Sequence, residues 1–122
     1  MILYGLVFLG SGFGGLCRFV LSKLLSSLLP AFPLGTLLVN LVGMFFIGFF
    51  TVWFVDKNVV QTPYREMVLI GFLGGLTTFS SFGNESFGLY QESKFIELFL
   101  YLSGNLVLGF ILLILGRKLG SI

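Results

Sequence analysis

Histidine is missing from this chain of 122 residues, and Cys17 is its only cysteine. Zinc and iron centres, and Cys/His nucleophile pairs, need clusters of these residues, so the composition excludes them. Cys17 stands among Gly, Leu and Phe, and we interpret it as a small packing residue. A Gly-rich phosphate loop of the P-loop type is missing as well. We therefore expect the chain not to be an enzyme.

Charged side chains are also scarce, at 10% of the residues, and the net charge is only +2. This charge is too small to favour nucleic-acid binding. In contrast, 57% of the residues are hydrophobic and the mean hydropathy is +1.07. A water-soluble domain of this length would not tolerate such a surface, so we expect the chain to lie in a lipid bilayer.

Long apolar stretches indicate the membrane-spanning helices, each of which needs about 20 residues. The stretches without Asp, Glu, Lys or Arg are Met1–Cys17, Leu24–Val55, Met67–Asn84 and Leu98–Gly116. Pro30 and Pro33 mark a turn before the second helix. We predict an all-α membrane protein, a single four-helix transmembrane domain over residues 1–122, with helices at about 2–28, 33–55, 63–91 and 95–117. A signal peptide is the alternative for the first helix, but the amino end of this helix carries no Lys or Arg side chain and no small-residue cleavage site follows it.

The distribution of Lys and Arg gives only a weak signal for orientation. With four spans, both termini share a side with the loop between helices two and three, and that side carries Lys57, Arg65, Arg117 and Lys118. The opposite side carries Lys23 and Lys94, with Arg18 part-way into the first helix. Because Lys and Arg near span ends set orientation, this small bias predicts insertion both ways and an antiparallel, dual-topology homodimer. A single orientation is the alternative.

The polar side chains in the middle of the spans are neutral. Carriers of cations or protons usually place a carboxylate there, but we expect Glu66, Glu85, Glu92 and Glu97 to be solvated at or beyond the span ends. The neutral groups are Asn40, the Thr/Ser cluster of the third helix, Tyr101, Ser103 and Asn105. Their N–H and O–H groups can donate hydrogen bonds, which suits an anion. Interhelical hydrogen bonding is the alternative role for Asn40.

Residues 71–82, GFLGGLTTFSSF, weaken the third helix at its centre with Gly and β-branched Thr. We predict a break here, which frees main-chain carbonyls to bind a singly charged hard cation such as sodium. Close helix packing through Gly71 and Gly75 is the alternative. Phe79 and Phe82 lie on one face, and the positive edges of their rings can line a path for an anion.

These motifs resemble those of the Fluc fluoride channels, the bacterial fluoride exporters also called CrcB proteins. GFLGGLTTFSSF resembles the family's third-helix signature, and GTLLVNLVGMFFIG at 35–48 is similar to its second-helix pattern around a pore asparagine. GSGFGGLCR at 10–18 stands where the family usually has GGxxGxxxR, so Ser11 departs from the pattern, as Met44 does from a frequent serine. The likeness extends over all four spans.

The resemblance implies a fluoride-selective channel with two pores per homodimer, which exports fluoride passively across the bacterial inner membrane and protects the cell. It implies that Asn40 donates to the passing ion and that Phe79 and Phe82 turn their ring edges to it. The implied polar track beside each pore consists of Thr36, Ser81 and Tyr101.

The resemblance also implies a structural sodium ion at the dimer centre, bound by the main-chain carbonyls of Gly74 and Thr77. Arg18 aligns with an arginine near a pore entrance, where it can raise the local concentration of anions, and snorkelling to the headgroups is the alternative. Asn105 falls where other members have a small hydroxyl residue.

Two other functions stay open at this point. A small dual-topology multidrug or cation exporter also has four helices, but it requires a Glu in the first helix, and residues 2–28 contain none. A structural membrane subunit without transport is the third interpretation, and it leaves the combination of Asn40, the glycines and the Phe pair unexplained.

Overall fold

The structure is a computed structural model that describes every residue from Met1 to Ile122. It is all-helical, with four helices long and apolar enough to cross a membrane: α1 (Ile2–Ser26), α2 (Leu34–Asp56), α3 (Tyr64–Gln91) and α4 (Phe95–Gly120). The shortest has 23 residues, which corresponds to about 35 Å of helix against about 30 Å of hydrocarbon. The chain is therefore a multi-pass membrane protein.

Two helix ends differ from the predicted ones by more than one residue. α1 ends at Ser26 rather than Leu28, because the chain already turns at residues 27–28, ahead of the two prolines. α4 continues to Gly120 rather than ending at Arg117. Arg and Lys do not end a helix where it leaves the hydrocarbon, because their long side chains extend toward the water and carry the charged group there. Arg117 Nη2 reaches Asp56 Oδ2 at the end of α2, at 3.0 Å.

Glycines bring the helices into close contact in two pairs, α1 with the first half of α3 and α2 with α4. Gly14 of α1 lies against the main-chain carbonyl of Phe72, and Gly116 of α4 lies against that of Phe45. A methyl group at either glycine would overlap the facing main chain. Small residues stabilise helix packing in lipid in this way, because there the hydrophobic effect does not drive helices together.

Gly71 and Gly75 contribute to the same packing. Gly71 faces Gly10 of α1. Gly75, one turn further along α3, faces Ser11. This pair of small residues therefore packs against α1 of its own chain, so its contacts do not require a second copy.

Residues 77–79 of α3 lie between a helical part at 64–76 and a second helical part, Ser80–Gln91. Thr77 has an extended backbone, with φ −81° and ψ 156°. Extended backbone cannot continue the i to i+4 hydrogen bonds of a helix. The Thr77 N–H still donates to the Leu73 carbonyl at 3.0 Å, but the Thr77 carbonyl and the peptide groups of Thr78 have their partners on other helices.

Most of the surface is apolar, and only 19 of the 122 residues are buried. The exposed large side chains include Phe8, Phe13 and Phe110. Such exposure is costly in water but not in hydrocarbon, so it fits a bundle that contacts lipid or another apolar surface.

Candidate functional site

A cavity of about 390 Å³ lies where α3 is interrupted, and we call it the central cavity. Its lining residues are Asn40, Met44, Gly74, Thr77, Thr78, Phe79, Phe82, Asn105 and Leu106. Five of the predicted site residues meet here: Asn40, Gly74, Thr77, Phe79 and Phe82. None of the lining side chains is ionisable. The polarity of the central cavity therefore comes from amides, hydroxyls and the main chain alone.

Asn40 of α2 bridges the interruption by pairing with the main chain of Thr78. The Thr78 N–H donates to Asn40 Oδ1 at 2.8 Å, and Asn40 Nδ2 donates to the Thr78 carbonyl oxygen at 3.1 Å. A carboxamide has the same donor and acceptor as a peptide group, so it can replace the helical partners that Thr78 lacks. Asn40 therefore makes the interhelical hydrogen bonds that the alternative interpretation of this residue expected.

Asn105 of α4 continues this line of amides. Asn40 Nδ2 donates to Asn105 Oδ1 at 2.8 Å, and Asn105 Nδ2 donates to the Tyr101 carbonyl oxygen at 3.0 Å. The Thr78 N–H fixes the orientation of the Asn40 amide, because a flipped amide would place N–H against N–H. Asn40 fixes the orientation of Asn105 for the same reason.

The rings of Phe79 and Phe82 lie side by side on the central cavity, with their centroids 5.4 Å apart and tilted by 45°. Phe82 is buried and packs against Tyr101 at 5.5 Å. Phe79 is 78% exposed in the single chain. One wall of the central cavity is thus formed inside the bundle, whereas the Phe79 side lies at its surface.

A second cavity of about 420 Å³, which we call the vestibule, is lined by Gly15, Arg18, Phe19, Ser22, Lys23, Ser26, Thr36, Ser81 and Glu85. It brings together three further predicted residues, Arg18, Thr36 and Ser81. Arg18 Nη1 donates to the Thr77 carbonyl oxygen at 3.1 Å, so its charge points into the bundle rather than toward the headgroups. Thr78 Oγ1 donates to Ser81 Oγ at 3.3 Å. These contacts connect the vestibule with the central cavity.

Glu85 was wrongly predicted to be a solvated residue at a span end. It is half-buried, and it accepts hydrogen bonds from Thr36 Oγ1 at 2.8 Å and from the Tyr101 hydroxyl at 2.5 Å. The apolar run stops near Glu85, but the helix continues to Gln91 and holds the residue against α2 and α4. The hydroxyls of Thr36 and Tyr101 replace water as partners of the carboxylate, which lowers the cost of burying it. Tyr101 is itself fully buried and lines neither cavity.

The main chain beside the central cavity offers oxygen ligands for a cation. None of the main-chain hydrogen bonds outside the regular helices ends on the Gly74 carbonyl, and the Thr77 carbonyl accepts only from Arg18. A carbonyl oxygen has two lone pairs, so Thr77 can accept from Arg18 and also bind an ion. Neutral oxygens suit a hard, singly charged cation. The two carbonyl oxygens therefore fit the kind of ligand that a sodium ion takes.

Comparison with known proteins gives one family. The profile described as "CrcB-like protein, Camphor Resistance (CrcB)" matches residues 5–117. The chain is 46% identical over 121 residues to the "Fluoride-specific ion channel FluC" of Aquifex aeolicus (strain VF5), covering 96% of this chain and 98% of that one. It is 39% identical over 119 residues to the protein of the same name from Hydrogenobaculum sp. (strain Y04AAS1), covering 98% of each. The chain belongs to the CrcB family.

Proposed function

We propose that this chain is a fluoride-selective ion channel, which exports fluoride passively and protects the cell from fluoride toxicity. The names of its relatives support an ion channel rather than an enzyme. The observation that carries the proposal is the central cavity, where neutral amides and two phenylalanine rings meet without any ionisable side chain. Donors of this kind can replace part of an anion's hydration shell, and without a full charge they do not trap it.

The pathway runs from the vestibule to the central cavity. Arg18 and Lys23 at the vestibule raise the local concentration of anions. Of the polar track of Thr36, Ser81 and Tyr101, Ser81 leads inward from the vestibule, whereas the hydroxyls of Thr36 and Tyr101 are held by the Glu85 carboxylate and support the track from behind. The track ends at Asn40, Phe79 and Phe82, where the ring edges add weak positive potential.

The channel is an antiparallel, dual-topology homodimer with two pores. Phe79 and Gly74 are both exposed in the single chain, and no atom of another residue fills the space beside Gly74. A second copy on this surface would close the open side of the central cavity. It would also add its own Gly74 and Thr77 carbonyls, giving four oxygen ligands to a structural sodium ion on the two-fold axis.

The driving force needs no ATP and no proton coupling. Hydrofluoric acid is neutral and enters from an acidic medium, then dissociates in a more alkaline cytoplasm. The membrane potential, negative inside, drives the fluoride ion outward with about 2.3 kcal/mol per unit charge and 100 mV. We place the channel in the inner membrane of a bacterium, where this potential exists.

Fluoride efflux from liposomes that contain the purified protein tests this function. We expect efflux, measured with a fluoride electrode in the presence of a potassium ionophore, to be fast with the unchanged protein. Phe79→Ile and Asn40→Ala should abolish it. Phe110→Ile is a matched control, because Phe110 lies on the exposed surface of α4 away from both cavities.

Two outcomes would contradict the proposal. Efflux that Phe79→Ile and Asn40→Ala leave unchanged would refute the pathway. Proton-coupled uptake of a hydrophobic cation, without fluoride efflux, would instead establish the multidrug or cation exporter.

A further inference from the structure

We propose that the end of the α2 and α4 pair binds an anionic phospholipid, with the phosphate at the ammonium groups of Lys57 and Lys118 and the acyl chains along exposed side chains of the same two helices. The surface consists of Trp53, Lys57, Ile114 and Lys118, and we call it the lysine surface. None of these residues lines the central cavity or the vestibule, so the assignment does not depend on the proposed function.

The whole net charge of the side chains lies in the half of the bundle that holds both termini. Four basic side chains in this half exceed its two acidic ones: Lys57, Arg65, Arg117 and Lys118 against Asp56 and Glu66. In the opposite half three basic side chains equal three acidic ones: Arg18, Lys23 and Lys94 against Glu85, Glu92 and Glu97. The excess of two in the first half is therefore the chain's net charge of +2.

Both carboxylates in the half with the termini are paired with arginines. Arg117 Nη2 lies 3.0 Å from Asp56 Oδ2, and Arg65 Nη2 lies 2.7 Å from Glu66 Oε1. These two pairs are neutral as a whole. The unbalanced charge is therefore that of the two lysines.

Lys57 and Lys118 are free to bind a group outside the chain. Both are exposed, and neither forms an ion pair or donates a side-chain hydrogen bond within the chain. Lysines at helix ends can also compensate the last carbonyls. Here the Trp53 carbonyl of α2 already accepts from the Val59 N–H at 3.1 Å, and the Lys118 carbonyl of α4 accepts from Ser121 Oγ at 2.7 Å. An anion can thus bind both ammonium groups without displacing a protein partner.

The packing of α2 against α4 brings the two lysines together. The two helices end on the same side of the bundle, where the Asp56 carboxylate at the end of α2 meets the Arg117 side chain of α4. Lys57 directly follows Asp56, and Lys118 directly follows Arg117. The ion pair therefore places the two lysines beside each other, where one phosphate can attract both.

Exposed apolar side chains lie about one helical turn before each lysine. Trp53, four residues before Lys57, is 42% exposed, and Ile114, four residues before Lys118, is 49% exposed. Residues four apart lie on the same face of a helix, so each lysine stands at the end of an apolar stripe. Tryptophan is typical of the level of the lipid headgroups. Basic groups next to such apolar stripes match an anionic phospholipid, whereas an acidic water-soluble partner would leave the apolar stripes without a function.

Trp53 is the only tryptophan of the chain, so its fluorescence reports on this surface alone. The unchanged protein is reconstituted in vesicles that contain equal amounts of a phosphatidylglycerol and a phosphatidylcholine with the same acyl chains. In one preparation the phosphatidylglycerol carries bromine, which quenches tryptophan on contact, and in the other the phosphatidylcholine does. The surface charge of the vesicles is then the same in both measurements. At low ionic strength we expect Trp53 to prefer the anionic lipid by about fivefold to thirtyfold, the range for one or two basic side chains near anionic headgroups.

Three double variants identify the groups that cause this preference. Lys57→Gln with Lys118→Gln should remove it, because Gln is a long polar side chain without charge. Lys57→Arg with Lys118→Arg should retain it. Lys23→Gln with Lys94→Gln is the matched control, since it removes the same charge from the opposite half of the bundle, and the preference should persist.

Four results would overturn the assignment. Equal quenching by the two lipids in the unchanged protein would show that the surface does not select an anionic headgroup, and would leave its lysines to water or to an acidic protein. A preference that survives Lys57→Gln with Lys118→Gln would belong to other groups. A preference that Lys23→Gln with Lys94→Gln removes equally would depend on net charge alone, and one that the arginine variant loses would depend on more than positive charge. Fluoride efflux is measured separately, so failure of this assignment and failure of the proposed function are distinguishable.

Discussion

Replacing Asn40 by leucine removes the side chain that pairs with the Thr78 peptide groups at the interruption of α3. The Thr78 N–H and carbonyl then lose bonds of 2.8 and 3.1 Å. A buried polar group without a partner costs about 1–3 kcal/mol in mutational data. Two such groups together cost about 2–6 kcal/mol of the free energy of unfolding. Water that enters the central cavity can hydrogen-bond to them and would bring this cost toward its lower limit. We therefore expect Asn40→Leu to lower the free energy of unfolding by about 2–4 kcal/mol.

Reversible unfolding of the purified protein in mixed micelles, with SDS as the denaturant, measures this loss. Asn105→Leu is the matched control. It removes a carboxamide of the same size from the same cavity, but its partners are the Asn40 side chain and a helical carbonyl, so no peptide group of the interruption loses a bond. Asn40→Leu should be clearly less stable than Asn105→Leu. Equal stabilities would refute the idea that Asn40 replaces the missing helical partners of Thr78.

Four further outcomes are expected. Gly14→Ala should lower the free energy of unfolding by about 1–3 kcal/mol, because its methyl group meets the Phe72 carbonyl, whereas Gly5→Ala, with open space around it, should not; equal effects in the SDS titration would contradict the packing. Arg18→Met should reduce fluoride flux at low ionic strength by about tenfold and much less at high ionic strength, and a reduction independent of salt would exclude electrostatic steering. Replacing sodium with the larger potassium ion should reduce the dimer fraction in a cross-linking assay, and an unchanged fraction would argue against the sodium site. Asn58→Cys, in the loop after α2, should react with an impermeant maleimide from both sides of the membrane, and labelling from one side alone would refute dual topology.

The membrane class could be predicted because it depends on composition alone. In hydrocarbon, an apolar stretch of about 20 residues must form its main-chain hydrogen bonds within the protein. A single stretch achieves this by folding into a helix. The four stretches therefore became four helices, and the two ends that differed by more than one residue lie at the turn after α1 and at the Arg117 and Lys118 pair. The motif around Asn40 and the motif at 71–82 were sufficient to indicate the family, which the comparisons confirmed.

Partners of the polar side chains could not be predicted, because they lie on other helices. Asn40 and Thr78 are 38 residues apart, and Thr36 and Glu85 are 49 apart. Nothing local to Glu85 distinguishes a solvated carboxylate from one that Thr36 and Tyr101 hold between helices.

The sequence by itself determined that the chain spans a membrane and belongs to a family whose relatives are named as fluoride channels, since hydropathy and motif spacing are local properties. Only the tertiary structure decided that Asn40 pairs with the main chain of Thr78 and with the side chain of Asn105. These facts depend on how closely α2, α3 and α4 approach, and hence on glycine contacts between segments far apart in the chain.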